Sequence, residues 1–300
     1  MKALQKLMNK PLIGGFVRAL MKRLANDHAT MIAKHFSQYL TPRIANSDEL
    51  RRSAFAIRHH VYCEELQFEP VNELKQERDE FDHHAHHCVI QHNASEKFAG
   101  TVRVVYSRNE TEQLPLERYC LDSISHERLH PNNFPRDSIC EISRLAVPQE
   151  FRRRQTDNYD GAATGVINEA TYSESELRCF PFIAVGLYLA AATVTIEKGL
   201  AHCFVMMEPR LARSMRFVGI EFEQIGPVVE YHGKRAPFYI SPITLKTTLS
   251  NGYRALFHNI ELELARNEAL HVILEREYQS HLSSDEDEWQ NGEPVISRTV

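Results

Sequence analysis

The 300-residue sequence contains six cysteines and no C-x-x-C pair among them. That absence excludes a zinc ribbon and a thioredoxin-type redox site. No apolar run reaches the ~18 residues of a membrane-spanning helix. The basic N-terminus leads into no unbroken apolar core with a small-residue cleavage site, so secretion is not expected. A reducing cytoplasm is the compartment this cysteine usage suggests. Glycine-rich Walker and Rossmann patterns are missing, and so is the G-x-S-x-G elbow of serine hydrolases. A net charge of -5 gives no basic excess for nucleic acid, and no such partner is expected. No unit of about 20–50 residues repeats along the chain.

What remains is an ordinary globular composition, 43% hydrophobic and 25% charged. Residues 1–45 read as a basic amphipathic helical extension, broken near Pro11 and Gly14-Gly15. Its face at 1–24 is suited either to packing on the core or to peripheral contact with the inner face of a membrane. Ser47, followed by Asp48 and Glu49, predicts a helix start. The acidic stretch from Glu73 to Asp82 reads as a loop, and strands are expected near 86–92 and 97–106. Residues 107–138 form a long connection. A helix is predicted over 181–198, with Pro at its start and Gly199 at its end. A strand follows at 200–207, then a short helix and a hairpin pairing 221–231 with 235–241. The main domain is therefore bounded at 46–250, with a C-terminal helix at 251–283 and an acidic disordered tail at 284–300. Early strands joined without helices, followed by alternating helix and strand, predict a mixed α/β (α+β) domain.

The most informative stretch runs from Ile139 to Val147, where Glu141, Ser143 and Arg144 interrupt an apolar run. Charge in a buried strand is costly unless it is paired or used. Strict alternation would place Glu141 and Ser143 on one face and Arg144 on the other. A β-bulge would let all three serve one site and would free a peptide N–H. Glu141 and Ser143 are the candidate catalytic residues: the carboxylate can accept a proton from an amine, and the freed N–H can hold a developing oxyanion. Arg58 and Tyr62, one helical turn apart, share a face. Asp79, Asp82, Arg103 and Arg144 complete a polar set carried by a helix, a loop and two strands. The histidine-rich run around His83, His84, His86, His87, Cys88 and His92 lacks a spaced ligand motif, and no metal site is expected there. Cys140, between apolar neighbours, reads as an inert core thiol.

These residues fall into a familiar register. Arg58-x-x-x-Tyr62, Phe68, Glu77-x-Asp79-x-x-Asp82, Gly100-x-x-Arg103 and Glu141-x-Ser143-Arg144 resemble the signature of acyl-homoserine-lactone (autoinducer) synthases. They are also similar to long-chain N-acyl amino acid synthases. Tyr62 and Phe68 stand where that family carries Phe and Trp. Further on, Met206-x-Glu208-Pro209, Leu211-x-Arg213 and Gly226 through Arg235 resemble acyltransferases associated with the PEP-CTERM/exosortase system. The resemblance implies a GNAT-like fold: a twisted mixed sheet flanked by helices, with an acyl thioester lying in a V-shaped cleft beside a bulged central strand.

Its functional implication is an amide-forming acyltransferase moving a fatty acyl group from acyl carrier protein or acyl-CoA to a small amine, with no permanently bound cofactor. Arg58, Asp79 and Asp82 would order a lid over the acceptor; Tyr62 and Phe68 would line its site. Arg103 and Arg144 would either hold the acceptor carboxylate or brace the acids. Ordinary GNAT enzymes hold pyrophosphate on a glycine-rich turn. Here that region carries Arg152, Arg153 and Arg154 instead, which favours docking of an acidic carrier protein. The alternatives are an acyl-homoserine-lactone synthase using S-adenosylmethionine, and a non-catalytic acyl-carrier or membrane-surface binding module.

Overall fold

The computed structural model describes residues 33–152, 182–216 and 218–291, with side chains as far as residue 273. A single mixed sheet organises them. Its strands are β1 (Leu40–Ile44), β2 (Ala85–His92), β3 (Phe98–Tyr106), β4 (Ile139–Ala146), β5 (His202–Met207), β6 (Glu223–Gln224), β7 (Val229–Glu230) and β8 (Lys234–Ile240). The order across the sheet is β1-β2-β3-β4-β5-β8-β6, with β7 pairing β8. Every pairing is antiparallel except β4 with β5. A parallel pair needs a long crossover, and the β4–β5 connection contains helix α3 (Ile183–Glu197), which is apolar on every side. Ile183, Leu187, Leu189, Ala190 and Ala191 are fully enclosed between the sheet and the C-terminal helix.

Helix α1 (Asp48–Arg58) starts where the sequence indicates. Ser47 caps it by accepting from the Leu50 amide at 3.2 Å. It then widens into a π-helical turn, His59–Glu65, closed by the Leu66 N–H to Val61 carbonyl bond of 2.9 Å. The long connection before β4 contains the short helix α2 (Pro115–Tyr119). Helix α4 (Pro209–Arg216) follows β5, and α5 (Pro242–Thr248) follows β8.

Three boundaries differ from expectation. The helical extension does not reach residue 45: residues 33–39 are helical, but Leu40–Ile44 form β1, pairing β2 with Pro42 opposite Ile90. A proline without an N–H is tolerated on such an edge strand. The basic extension expected over residues 1–32, with its face at 1–24, lies outside the described residues. The expected strand 221–231 is split into β6 and β7 around Gly226, where a Cβ would meet the Ser123 carbonyl at 1.8 Å. The C-terminal helix α6 (Asn251–Asn291) runs past 283 into the acidic stretch expected to be disordered. After Gly252 in its first turn, no glycine or proline interrupts it before Gly292, so nothing local stops propagation. Leu256, Phe257, Ile260 and Leu264 anchor its first half by burying one face on the core.

Candidate active site where two parallel strands part

The β4–β5 ladder is short: Ile139 pairs His202, Cys140 pairs Cys203 and Glu141 pairs Phe204, and no pairing continues. Beyond that point β4 stays with β3 and β5 stays with β8. The two strands therefore splay, and peptide groups on their facing edges lose their ladder partners. On its other side β4 carries the bulge. Arg103 faces Ser143 but Thr101 faces Ala146, so β4 uses one residue more than β3 over this interval. Arg144 absorbs it at φ +50, a left-handed conformation that costs a non-glycine residue roughly 1–2 kcal/mol. The extra residue turns Arg144 to the side that Ser143 already faces, as Arg103 shows: it donates through Nε to Ser143 Oγ at 3.1 Å and through a terminal nitrogen to Asp79, which Arg144 also contacts.

Glu141 is the last paired residue before the strands part, and only 2% of it is exposed. Its Oε2 accepts the Leu116 N–H from the first turn of α2 at 2.6 Å. Burial pushes the carboxyl up to about 8; the Leu116 amide and the guanidinium groups of Arg103 and Arg144 pull it down without balancing burial. A carboxyl poised there can exchange a proton near neutral pH.

Behind the cleft wall lies a closed ion network. Arg58, wholly buried, donates to Glu77 at 2.5 Å and to both oxygens of Asp82 at 2.6 and 3.2 Å. Arg103, equally buried, reaches Asp79 at 2.5 Å and Asp82 at 2.9 Å. Arg144 spans Glu77 at 3.1 Å, Asp79 at 3.2 Å and Glu69 at 3.6 Å. Burial alone would raise the Asp82 carboxyl, but Arg58 and Arg103 outweigh it and hold the group well below the usual range. Glu77 behaves likewise under Arg58 and Arg144. Asp79 and Asp82 also cap each other's turn, with the Asp79 N–H donating to Asp82 Oδ2 at 2.8 Å. Such pairing is what makes buried charge tolerable. Of the two roles open to Arg103 and Arg144 in the sequence, their contacts are those of bracing the acids.

The splayed strands enclose a cleft of about 380 Å³. Its apolar wall includes Val61, Leu66, Phe151, Ala184, Val205 and Leu211. A smaller polar recess of about 40 Å³ adjoins it, lined by Glu69, Glu141, Tyr231 and His232 among others. Tyr62, Phe68, Ser143, Arg144, Met206 and Arg235 border both spaces. Tyr62 donates its hydroxyl to the Leu145 carbonyl within the bulge at 2.7 Å, and the Arg144 guanidinium lies 5.7 Å from its ring centre. Phe68 packs on His232 with ring centres 5.5 Å apart. The π-helical turn projects Tyr62 toward the bulge; such turns frequently mark functional sites.

Of the three arginines expected to dock a carrier protein, Arg152 is not a free surface charge. It lines the cleft, 11% exposed, and pairs with Glu65. Arg153 and Arg154 lie outside the described residues. The histidine-rich run does not converge as a group, yet His83 and His84 meet Glu112 closely enough to share an ion, a partner not apparent from spacing. Glu112 is already held by Arg108. Burial raises the thiols of Cys140 and Cys88, the latter to about 12, so neither is a thiolate nucleophile. Sequence reasoning missed Glu69, Tyr188, Tyr231 and Arg235 as cleft residues. The one available signal was Arg235, charged inside the apolar stretch that follows a glycine turn.

Known proteins resemble the chain in domain and in fold. Residues 57–160 match the family model of the acetyltransferase (GNAT) domain. No curated protein matches the chain. Among solved structures, TofI in a ternary complex with an inhibitor and MTA is 15% identical, covering 72% of this chain and 99% of its own at a TM-score of 0.51. BjaI, a CoA-dependent acyl-homoserine lactone synthase seen with SAM and isopentyl-CoA, is 14% identical over 73% and 98% of the two chains, with a TM-score of 0.49. FeeM, an N-acyl amino acid synthase from uncultured soil microbes, is 14% identical over 71% and 97%, with a TM-score of 0.47. At these identities the likeness is one of fold. The domain match spans the ion network, the bulged strand and Glu141, so these parts of the site lie within an acetyltransferase (GNAT) domain match, and TofI shares the fold.

Proposed function

We propose that the protein transfers a fatty acyl group from a pantetheine thioester, on acyl carrier protein or coenzyme A, to the amine of an amino acid or related small amine. The observation that carries this reading is the junction of an apolar cleft with a polar recess at Glu141 and the β4 bulge. An acyl chain lies against Val61, Leu66, Val205 and Leu211, and the thioester carbonyl sits where the strands part. The amine nitrogen attacks the carbonyl carbon from the recess and forms the C–N bond. Its proton passes to Glu141, directly or through water, a step worth about 10²–10⁴-fold. A peptide N–H of the bulge segment 142–145 receives the oxyanion, worth about 10²–10³-fold. The C–S bond then breaks, and the departing thiolate takes up a proton. Tyr62 and Phe68 cover the reacting groups, while the Arg58–Asp82–Arg103 network holds Ser143 and Arg144 in place.

Carrier protein remains the favoured donor on the missing glycine-rich pyrophosphate turn and the charge of Arg153 and Arg154, Arg152 being held by Glu65, and acyl-CoA is the alternative. The motifs from Met206 to Arg235 support a role beside the PEP-CTERM/exosortase system, and the free, buried cysteines support a cytoplasmic site of action. Peripheral membrane contact through 1–24 is part of the same proposal. The test is expression followed by untargeted mass spectrometry of lipid extracts. N-acyl amino acids are the expected products. N-acyl-homoserine lactones would instead assign the S-adenosylmethionine reaction, and no thiol release from acyl-carrier protein or acyl-CoA with any amine would favour a binding module.

A further inference from the structure

Resting on that acyl-transfer reading, we infer that Arg235 anchors a carboxylate on the acceptor, so that the substrate class is an anionic amine such as an α-amino acid, not a neutral amine or an amino ester. The other arginines near the site are committed. Arg58, Arg103 and Arg144 are spent on Glu77, Asp79 and Asp82, and Arg152 on Glu65. Arg235 differs from them in making no ion pair among the described residues. It borders both the apolar cleft and the polar recess. Its Nε is buried with no hydrogen-bond partner, and among the described residues its guanidinium has no carboxylate within ion-pair distance. A donor withdrawn from water and left unmatched is costly, and an incoming anion relieves that cost.

The neighbours of Arg235 do not neutralise it. Glu69, the other acid of the recess, is drawn to Arg144 at 3.6 Å and to His232 at 3.8 Å. Glu141 is engaged by the Leu116 N–H at 2.6 Å and makes no ion pair with Arg235. Arg235 is also held in place by its strand. It pairs with Val229 across the turn 231–233, where His232 and Gly233 adopt φ +49 and +91, so the guanidinium stem starts from a fixed point. A guanidinium offers a planar fork that fits a carboxylate, and a carboxylate one carbon from the attacking nitrogen fits a recess shared by Arg235, Ser143 and Glu141. A pantetheine phosphate does not fit this placement. It is separated from the thioester by the whole pantetheine arm, so it cannot occupy the recess while the carbonyl lies beside Glu141.

The experiment pairs a panel of amino acids with their carboxamides in an acyl-thioester consumption assay, using wild type, Arg235→Gln and Arg235→Lys. We expect wild type to favour the acids. Arg235→Gln should raise KM for the acids about 10- to 100-fold with little change in kcat, and leave the carboxamides nearly unaffected. Arg235→Lys should recover part of the loss. Equal losses for acids and carboxamides, or no loss for acids, would overturn the anchor while leaving acyl transfer standing. If neither series is acylated, the acyl-transfer reading is what fails. Calorimetric binding of N-octanoylglycine and its methyl ester then decides Arg235 separately. A preference of about tenfold or more for the acid that vanishes in Arg235→Gln supports the anchor, and equal binding of acid and ester overturns it.

Discussion

Two charged regions flank the bulged strand, and they handle charge in opposite ways. On the β3 side, Arg58, Arg103 and Arg144 share Glu77, Asp79 and Asp82 through short bonds, and nearly every charge there has a counter-charge. On the β5 side, Glu141 and Arg235 border the recess without an ion partner among the described residues. The first arrangement gives structure: breaking one contact strands another charge in a buried place. The second leaves groups whose electrostatic needs are met only by something that enters. The same residue types thus serve as frame on one side of a strand and as working groups on the other. What separates them is whether a partner lies within reach.

The comparison can be broken most sharply at Glu141. Glu141→Gln keeps an oxygen for the Leu116 N–H and removes the proton acceptor. Turnover should fall about 10²–10⁴-fold, and wild-type-like turnover would take Glu141 out of the base role. The same variant makes a stability statement. The folded-state carboxyl is raised to about 8 from an ordinary 4.5, so the folded protein holds a proton that the unfolded chain releases in that window. Wild-type stability should decline as pH rises from about 4.5 toward 8 on this group's account, a decline absent from Glu141→Gln. Thermal unfolding of both proteins at pH 5 and pH 8.5 measures it.

On the framework side, Arg58→Ala leaves Glu77 and Asp82 each short of a buried counter-charge. A destabilisation of about 3–5 kcal/mol is expected by denaturant unfolding. A change below about 1 kcal/mol would mean that the network is not structural. The network should also make the fold acid-sensitive. Burial and then the nearby Arg58 hold the His87 imidazole down to about 3, against an ordinary 6.5. Glu77 and Asp82 are held below their ordinary values by their arginines. Each depressed group makes stability fall as pH drops: His87 below about 6.5, and the acids once pH passes below the ordinary carboxylate range. In Glu141→Gln, which lacks the opposing contribution of the raised Glu141 carboxyl, urea midpoints should fall as pH drops from 7 to 3, and a flat profile would contradict the pairing.

The smallest expected effect lies in the apolar half. Tyr188 and Ile142 separate the cleft from a further apolar space walled by Ala192, Phe222 and Leu245. Tyr188→Ala should join the two and shift the preferred acyl chain toward greater length by a few-fold in kcat/KM, read by competition between chain lengths. An unchanged chain preference would make Tyr188 a core residue and nothing more.

Much of this was legible beforehand. The mixed α/β class, the Ser47 cap, the α3 helix and the irregular β4 all follow from local pattern. Polar residues inside an apolar strand pointed to Glu141, Ser143 and Arg144, because charge there needs a reason. Boundaries were less legible. Leu40–Ile44 became a strand only because β2 offered an edge, and the 221–231 strand broke where the Ser123 loop pressed on Gly226. Arg152 looked like docking charge because Glu65, its partner, is far away in sequence.

The chain's own order of residues thus determined which groups exist to do chemistry and which segments carry them, since capping, apolar periodicity and the cost of buried charge act over a few residues. Only the folded sheet decided which of those charges cancel. Pairing depends on distances between segments some 20 to 90 residues apart, and it was the parting of β4 from β5 that left Glu141 and Arg235 facing an open space instead of each other's partners.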